Sequence, residues 1–364
     1  MKIKEITSYL ESLAPLGSQV SYDNCGLLIG NKENEINSTL ICLDCTEEIV
    51  EEAINIGCNL IISHHPIIFS GIKKLNGNNY IERTIIKAIQ NNIAIYAIHT
   101  NLDNYRFGVN FEIGKRLGLE NLQILAPSEN TLCKLSVFVP EDYSKQVSEA
   151  LFKAGAGNIG NYSDCSFTQN GTGTFKPLEN SNPFEGKIGE ISKSDEQKVE
   201  VIVSSHILNS VLNAMKSSHP YEEIAYDIIA LKNKNQFEGS GMFGYLTSEM
   251  DEISFLKKIK ETFQCGIIRH TNLLNTPIKT VAFCGGSGSF LLKNAKQINA
   301  DIFITADYKY HDFFDSENEI VIADIGHFES EQYTSNLIAD ILKKKFPTFA
   351  VHITGVITNP INYF

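Results

Sequence analysis

The stretch Asn59-Leu-Ile-Ile-Ser-His-His-Pro limits the fold more than any other, because an apolar run of strand length stops at two adjacent imidazoles and a proline. Its neighbours at 47–56 and 80–91 carry apolar residues at helical spacing, so the run between them reads as a buried strand of a βαβ unit. The rhythm recurs. Residues 39–43 and 94–98 read as strands before Pro127, and 280–283, 301–305 and 320–323 as strands after Phe237, alternating with helices at 254–263, 291–297 and 330–345. Strands apolar on both faces imply a mostly parallel sheet covered by helices. Because 59–65 and 301–307 are both strands ending in ligand-capable residues, the two stretches are expected to be similar α/β halves of one domain, spanning 1–128 and 237–364.

The middle of the chain has a different texture. Residues 133–139 alternate as a half-exposed strand, 143–154 form an amphipathic helix, and a polar Gly/Asn/Ser/Thr stretch follows over 155–182. Then 198–203 reads as a strand, 207–217 as a helix and 224–230 as a last strand. That order points to a ferredoxin-like α+β module inserted over 129–236.

The net charge of −12 sets the chain against a phosphate backbone, and its longest basic cluster, Lys343-Lys344-Lys345, falls at a helix end where cations complement the dipole. No nucleic-acid partner is expected. With no apolar run of membrane-spanning length and no signal-like amino terminus, the expectation is a soluble cytoplasmic protein. The eight cysteines are scattered, which fits a reducing compartment; Cys42 and Cys45 form a CxxC without a second pair, in a segment that reads as a buried strand.

Three strand ends carry the chemistry. His64 and His65 follow the strand at 59–62, and Pro66 bends the chain so that both rings can address one space or two neighbouring ions. His99 and Asp103 follow the strand at 94–98. His327 and Glu331, four apart after Gly326, share one face of a helix, whereas Glu329 falls on another face and is expected in solvent. Together His64, His65, Asp103, His327 and Glu331 form a nitrogen and oxygen donor set without sulfur. It suits Zn²⁺, Mn²⁺, Fe²⁺, Co²⁺ or Ni²⁺, with zinc the expected occupant. Five ligands exceed one tetrahedral site that keeps a water, so two divalent ions with a bridging carboxylate are expected. His99 reads as a residue supporting the ligands or as a buried, hydrogen-bonded imidazole. Asp307, Lys309 and His311 could bind substrate or act as acid and base, and His99, Asp307 and His311 are the catalytic candidates. The loop Cys284-Gly-Gly-Ser-Gly-Ser289 is either an anion cradle or a plain tight turn; it matches neither GxGxxG nor a P-loop.

On these residues the chain resembles the GTP cyclohydrolase I type 2 homologues, the NIF-three-like dinuclear metal family. The matching stretches are Asp23-Asn-Cys-Gly-Leu-Leu-Ile-Gly30, Asp44-Cys-Thr-Glu-Glu48, Ser63-His-His-Pro66, His99-Thr-Asn-Leu-Asp103, the 285–289 loop, Ala306-Asp307 and Gly326-His-Phe-Glu-Ser-Glu331. Tyr22 stands where the family usually has tryptophan, and Cys25 and Cys45 where it has aliphatic or small residues. The resemblance implies two divalent ions on the five ligands with Glu331 as the bridge. It also implies a toroidal homohexamer, and an insert ending in His219-Pro-Tyr-Glu-Glu-Ile-Ala-Tyr-Asp227 that looks like the trimerising PII or CutA module of longer members. Two functions follow from it. One is a dinuclear metal-dependent hydrolase acting on a nucleotide-like or related small substrate; the other is a non-enzymatic metal-binding or regulatory hexamer whose insert senses a small ligand.

Overall fold

Leu40, Ile41, Leu60, Ile61, Ile62 and Ile95 are wholly buried, which is the reason their short runs become inner strands. The computed structural model describes all 364 residues. Up to residue 127 it contains β1 (Gly26–Ile29), β2 (Ser38–Cys42), β3 (Leu60–Ser63), β4 (Ala94–Ala97) and β5 (Glu120–Pro127). The middle contributes β6 (Leu132–Pro140), β7 (Ser166–Phe175), β8 (Ser192–Ser204) and β9 (Tyr226–Leu231). Then come β10 (Gly239–Met250), β11 (Arg269–His270), β12 (Ile278–Ser287), β13 (Ile302–Ala306), β14 (Val321–Asp324) and β15 (Ala350–Ile353).

Residues Met1–Pro127 and Phe237–Phe364 form one compact unit and Ser128–Gln236 another. The first unit holds two sheets, ordered β1-β4-β3-β2-β15 and β11-β14-β13-β12-β10-β5. In each, three inner strands run parallel, β2 with β3 and β4, and β12 with β13 and β14. An antiparallel strand closes the corresponding edge, β1 on β4 and β11 on β14. One buried cluster joins Ile41, Leu60, Ile62 and Tyr96 of the first sheet to Phe283, Ile302, Ile304 and Val321 of the second. Removing a side chain of that size from water stabilises by roughly 1.5–3 kcal/mol.

The sheets also exchange strands. β15 pairs with β2 in the first sheet, and β5 pairs with β10 in the second. The sequence reading contained none of β5, β10 and β15. β5 and β15 are edge strands with partners over a hundred residues away, and β10 carries Gly239, Gly241 and Gly244 in place of an apolar alternation. Pro127 faces Gly239 in the β5–β10 ladder, so the chain leaves and re-enters this unit at adjacent points. Local signals elsewhere are orthodox: Thr46 accepts from Ile49 N at the start of the helix Glu47–Ile56, and Gly57 ends it in the left-handed conformation.

The second unit is a four-stranded antiparallel sheet, ordered β7-β8-β6-β9. Leu135, Val137, Val199 and Val201 pack there on Val147, Leu151, Val211 and Met215 of the helices Ser144–Lys153 and Leu208–Ser218. β7 lies within the polar stretch 155–182; nearly all of it is exposed, so it leaves no apolar alternation to read. No helix is long and apolar enough to cross a membrane. All eight cysteines are free thiols, and Cys42 and Cys45 belong to the buried core.

Candidate metal centre

The carboxyl ends of the parallel strands in both sheets converge on one cavity of about 540 Å³. From the first sheet, Asp44 follows β2, His64 and His65 follow β3, and His99 and Asp103 follow β4; from the second, Asp307 follows β13, and His327 and Glu331 follow β14. The ladder continues past Ser63, with His64 N donating to Cys42 O (3.1 Å) and His65 N to Leu43 O (2.9 Å). The chain still brings the two rings to 4.9 Å and a 46° tilt, so both face the same space. Gly326, at φ 93°, admits the turn from β14 into the helix His327–Glu331, and a Cβ there would collide with the Glu329 carboxylate.

One carboxylate oxygen sits at the centre. Glu331 Oε2 lies 3.0 Å from His327 Nε2, 3.1 Å from His65 Nε2 and 3.9 Å from His64 Nε2. Asp103 Oδ1 lies 3.6 Å from His64 Nε2. Each of the three imidazoles is oriented from behind through Nδ1, which donates to Ile98 O from His64 (2.8 Å), to Asp44 Oδ1 from His65 (2.7 Å) and to Asp307 Oδ2 from His327 (2.7 Å). That leaves all three Nε2 atoms turned toward Glu331 Oε2, as in metal sites whose outer partners fix the ring. His64 Nε2 and Asp103 Oδ1 are fully covered and have no hydrogen-bond partner. An unmade hydrogen bond on a buried group costs about 1–3 kcal/mol. No lysine or arginine lines the cavity to answer these groups. His64, Asp103 and Glu331 form one triad of ligand atoms, and His65, His327 and Glu331 another. A divalent cation on each would satisfy both His64 Nε2 and Asp103 Oδ1, so the residues fit the implied group.

The electrostatics divide along the same line. Burial pushes the His64 imidazole down to about 3 against the pull of Glu331, which keeps it neutral. Burial also opposes charge on His65, but Asp44 and Glu331 overcome it and push the group up to about 9. Asp307 and Glu331 likewise overcome burial at His327 and push it up to about 11. Burial, reinforced by Glu331, raises Asp103 well above the ordinary carboxylate value, whereas Glu331 is held well below it because hydrogen bonds from His327 and His65 outweigh its burial.

The other sequence-derived residues fall in different places. His99 lines the cavity, with its ring 5.3 Å from that of His64 and 5.2 Å from that of His65, and its Nδ1 donates to Asp23 Oδ1 (2.9 Å). Asp307, at φ 55°, serves His327 rather than the cavity. Lys309 and His311 do not line the cavity; both are exposed, and His311 lies against Tyr310 and Phe314 on the segment Tyr310–Ser316. His311 is therefore withdrawn as a catalytic candidate. Glu329 needs correction too: it is buried, not solvated, and accepts from Asn359 Nδ2 (3.3 Å). Gly285 and Gly286 belong to the irregular end of β12 and are not free to cradle an anion, since Gly285 N already donates to Asn110 and Gly286 N to Ser330, and a Cβ on Gly286 would strike Glu331.

Sequence reasoning gave no role to Asp44 or Asp23. Asp23 Oδ2 accepts from Thr100 N (3.0 Å), and the hydrogen bonds from His99 and Thr100 hold its carboxyl well below the usual range despite burial. Both carboxylates sit beside strands that carry the imidazoles, and position at the same rim was the signal available.

Residues 1–360 match the family described as Duf34/NIF3 (NGG1p interacting factor 3). A Halalkalibacterium halodurans protein named GTP cyclohydrolase 1 type 2 homolog is 40% identical over 363 residues, 98% of each chain. A Bacillus subtilis protein of the same name is 35% identical over 366 residues, 99% of this chain and 98% of that one. Among solved structures, a Bacillus cereus protein related to NIF3 superposes with a TM-score of 0.86 at 36% identity, covering 100% of this chain and 99% of the other.

Proposed function

The chain belongs to the Duf34/NIF3 family, and from that premise we propose that it is a dinuclear metal-dependent hydrolase acting on a nucleotide-like or related small molecule. One observation carries the reading: His64 Nε2 and Asp103 Oδ1 are buried without partners beside a carboxylate oxygen that three imidazoles already approach. His64, Asp103 and Glu331 would hold an inner ion, and His65, His327 and Glu331 an outer one, with Glu331 serving both groups.

When bound, such cations polarise a substrate oxygen and lower the pKa of water. The protein's own part is orientation: Ile98 O, Asp44 and Asp307 fix the three rings. The cavity lining includes Tyr22 and Phe69, 6.2 Å apart, and the exposed Phe290, a surface suited to a flat ring. His99, held by Asp23, is the group placed to exchange a proton with a bound molecule. The antiparallel sheet of residues 128–236 is read as the ferredoxin-like insert, and a homohexamer with insert-mediated trimer contacts is proposed for the assembly.

Elemental analysis of purified protein tests the site: two equivalents of divalent metal per chain are expected, and fewer than two would overturn the dinuclear reading. Turnover of a nucleotide or related compound that stops on chelation and returns with metal supports the hydrolase. Metal-loaded protein that turns over nothing in such a panel favours the regulatory alternative.

A further inference from the structure

Residues 354–361 carry no regular secondary structure, yet side-chain hydrogen bonds hold them along their length, and Asn359, Pro360 and Ile361 form part of the cavity wall. Thr354 N continues the β15 ladder by donating to Ile41 O (3.0 Å). Thr354 Oγ1 and Gly355 N both donate to the Glu52 carboxylate, and Asn359 Nδ2 donates to the buried Glu329. Between these anchors, Thr358 Oγ1 donates to Asp44 Oδ2 (2.7 Å), and the other oxygen of the same carboxylate accepts from His65 Nδ1 (2.7 Å). A continuous chain of hydrogen bonds thus runs from the strap to one candidate ligand. Nothing comparable reaches His64, whose Nδ1 is served by a backbone carbonyl.

We infer that Thr358 is a positioning residue for the outer metal site, acting on His65 through Asp44, and that the strap 354–361 is a wall of the cavity fastened to that site. Asp44 is half-exposed and free to rotate unless both of its oxygens are engaged. Thr358 engages the second one, and so fixes the rotamer that aims His65 Nε2 at Glu331. The inner site, built from His64, Asp103 and Glu331, does not draw on this chain of contacts.

This inference rests on the dinuclear reading above, and competition titration of Zn²⁺ against a chromophoric chelator separates the two. The parent chain is expected to take up two equivalents with resolvable affinities. Thr358→Val should weaken one equivalent by about 10-fold, at the low end of the effect of losing an outer partner, and leave the other unchanged. Thr358→Ser should restore it. Asp44→Asn, one link closer, should weaken the same equivalent by about 10- to 100-fold, and it carries the test if the valine variant does not fold. Unchanged affinity in Thr358→Val, equal weakening of both equivalents, or no rescue by serine would each overturn the positioning role while leaving the metal centre intact. A parent chain that binds no zinc would overturn the dinuclear reading itself.

Discussion

Two charged clusters, one in each compact unit, are treated in opposite ways. In the unit of two sheets, His64 and Glu331 at the strand ends are buried, and His64 Nε2 and Asp103 Oδ1 are fully covered without a partner. In the unit of residues 128–236, Glu200 sits among Lys198 (2.6 Å), Lys134 (3.2 Å) and Ser136 (3.1 Å), a cluster at the surface with every group answered. Answered surface charge contributes little to stability and asks for nothing more. Buried charge without an answer is costly, and it persists where something outside the chain completes it. The contrast separates a site from a solvated face.

Removing the shared oxygen should break the contrast most completely. Glu331→Gln is expected to abolish both equivalents, with affinity falling by more than about 100-fold, beyond the range for outer partners; elemental analysis after gel filtration reads the loss. Asp103→Asn should separate function from stability. It removes a carboxylate crowded against Glu331, so urea unfolding of chelator-treated protein should show a gain of about 1–3 kcal/mol, while the inner equivalent of metal is lost. A variant that lost both metal and stability would show Asp103 to be a structural residue instead.

His311→Ala is expected to change metal affinity less than about twofold, in keeping with an exposed surface substitution. A large effect in the same chelator titration would return that residue to the site. The smallest effect belongs to Glu200. Its hydrogen bond with Lys198 outweighs burial and, with Lys134 and Ser136, lowers the carboxyl to about 2. Because the folded value lies below the unfolded one, the contribution is present above about pH 4.5 and is lost as pH falls toward 2. The unfolding midpoint of Glu200→Gln should therefore lie slightly below the parent's near neutrality, with the gap closing in acid and shrinking in high salt.

The inner strands and the five side chains that meet around Glu331 were legible because each depends on a local pattern: a buried run, a polar terminus, a helical spacing of four. Glu329 escaped because helical periodicity says which residues share a face, not what covers that face; here Asn359 does. Asp44 escaped for a related reason, since its partner His65 lies twenty-one residues away and its other partner, Thr358, more than three hundred. β7 escaped because its side chains face water on both sides.

The strand exchange has a consequence for synthesis. β2 lies inside the first sheet only when β15 has reached its free side, and β15 is separated from it by about three hundred residues. A nascent chain emerging from the ribosome therefore carries an incompletely covered sheet margin, and with it open hydrogen-bonding groups, until β15 has been made. Chaperone occupancy during translation should be heaviest over that interval, and a β15 sequence supplied in trans as a peptide should shorten it.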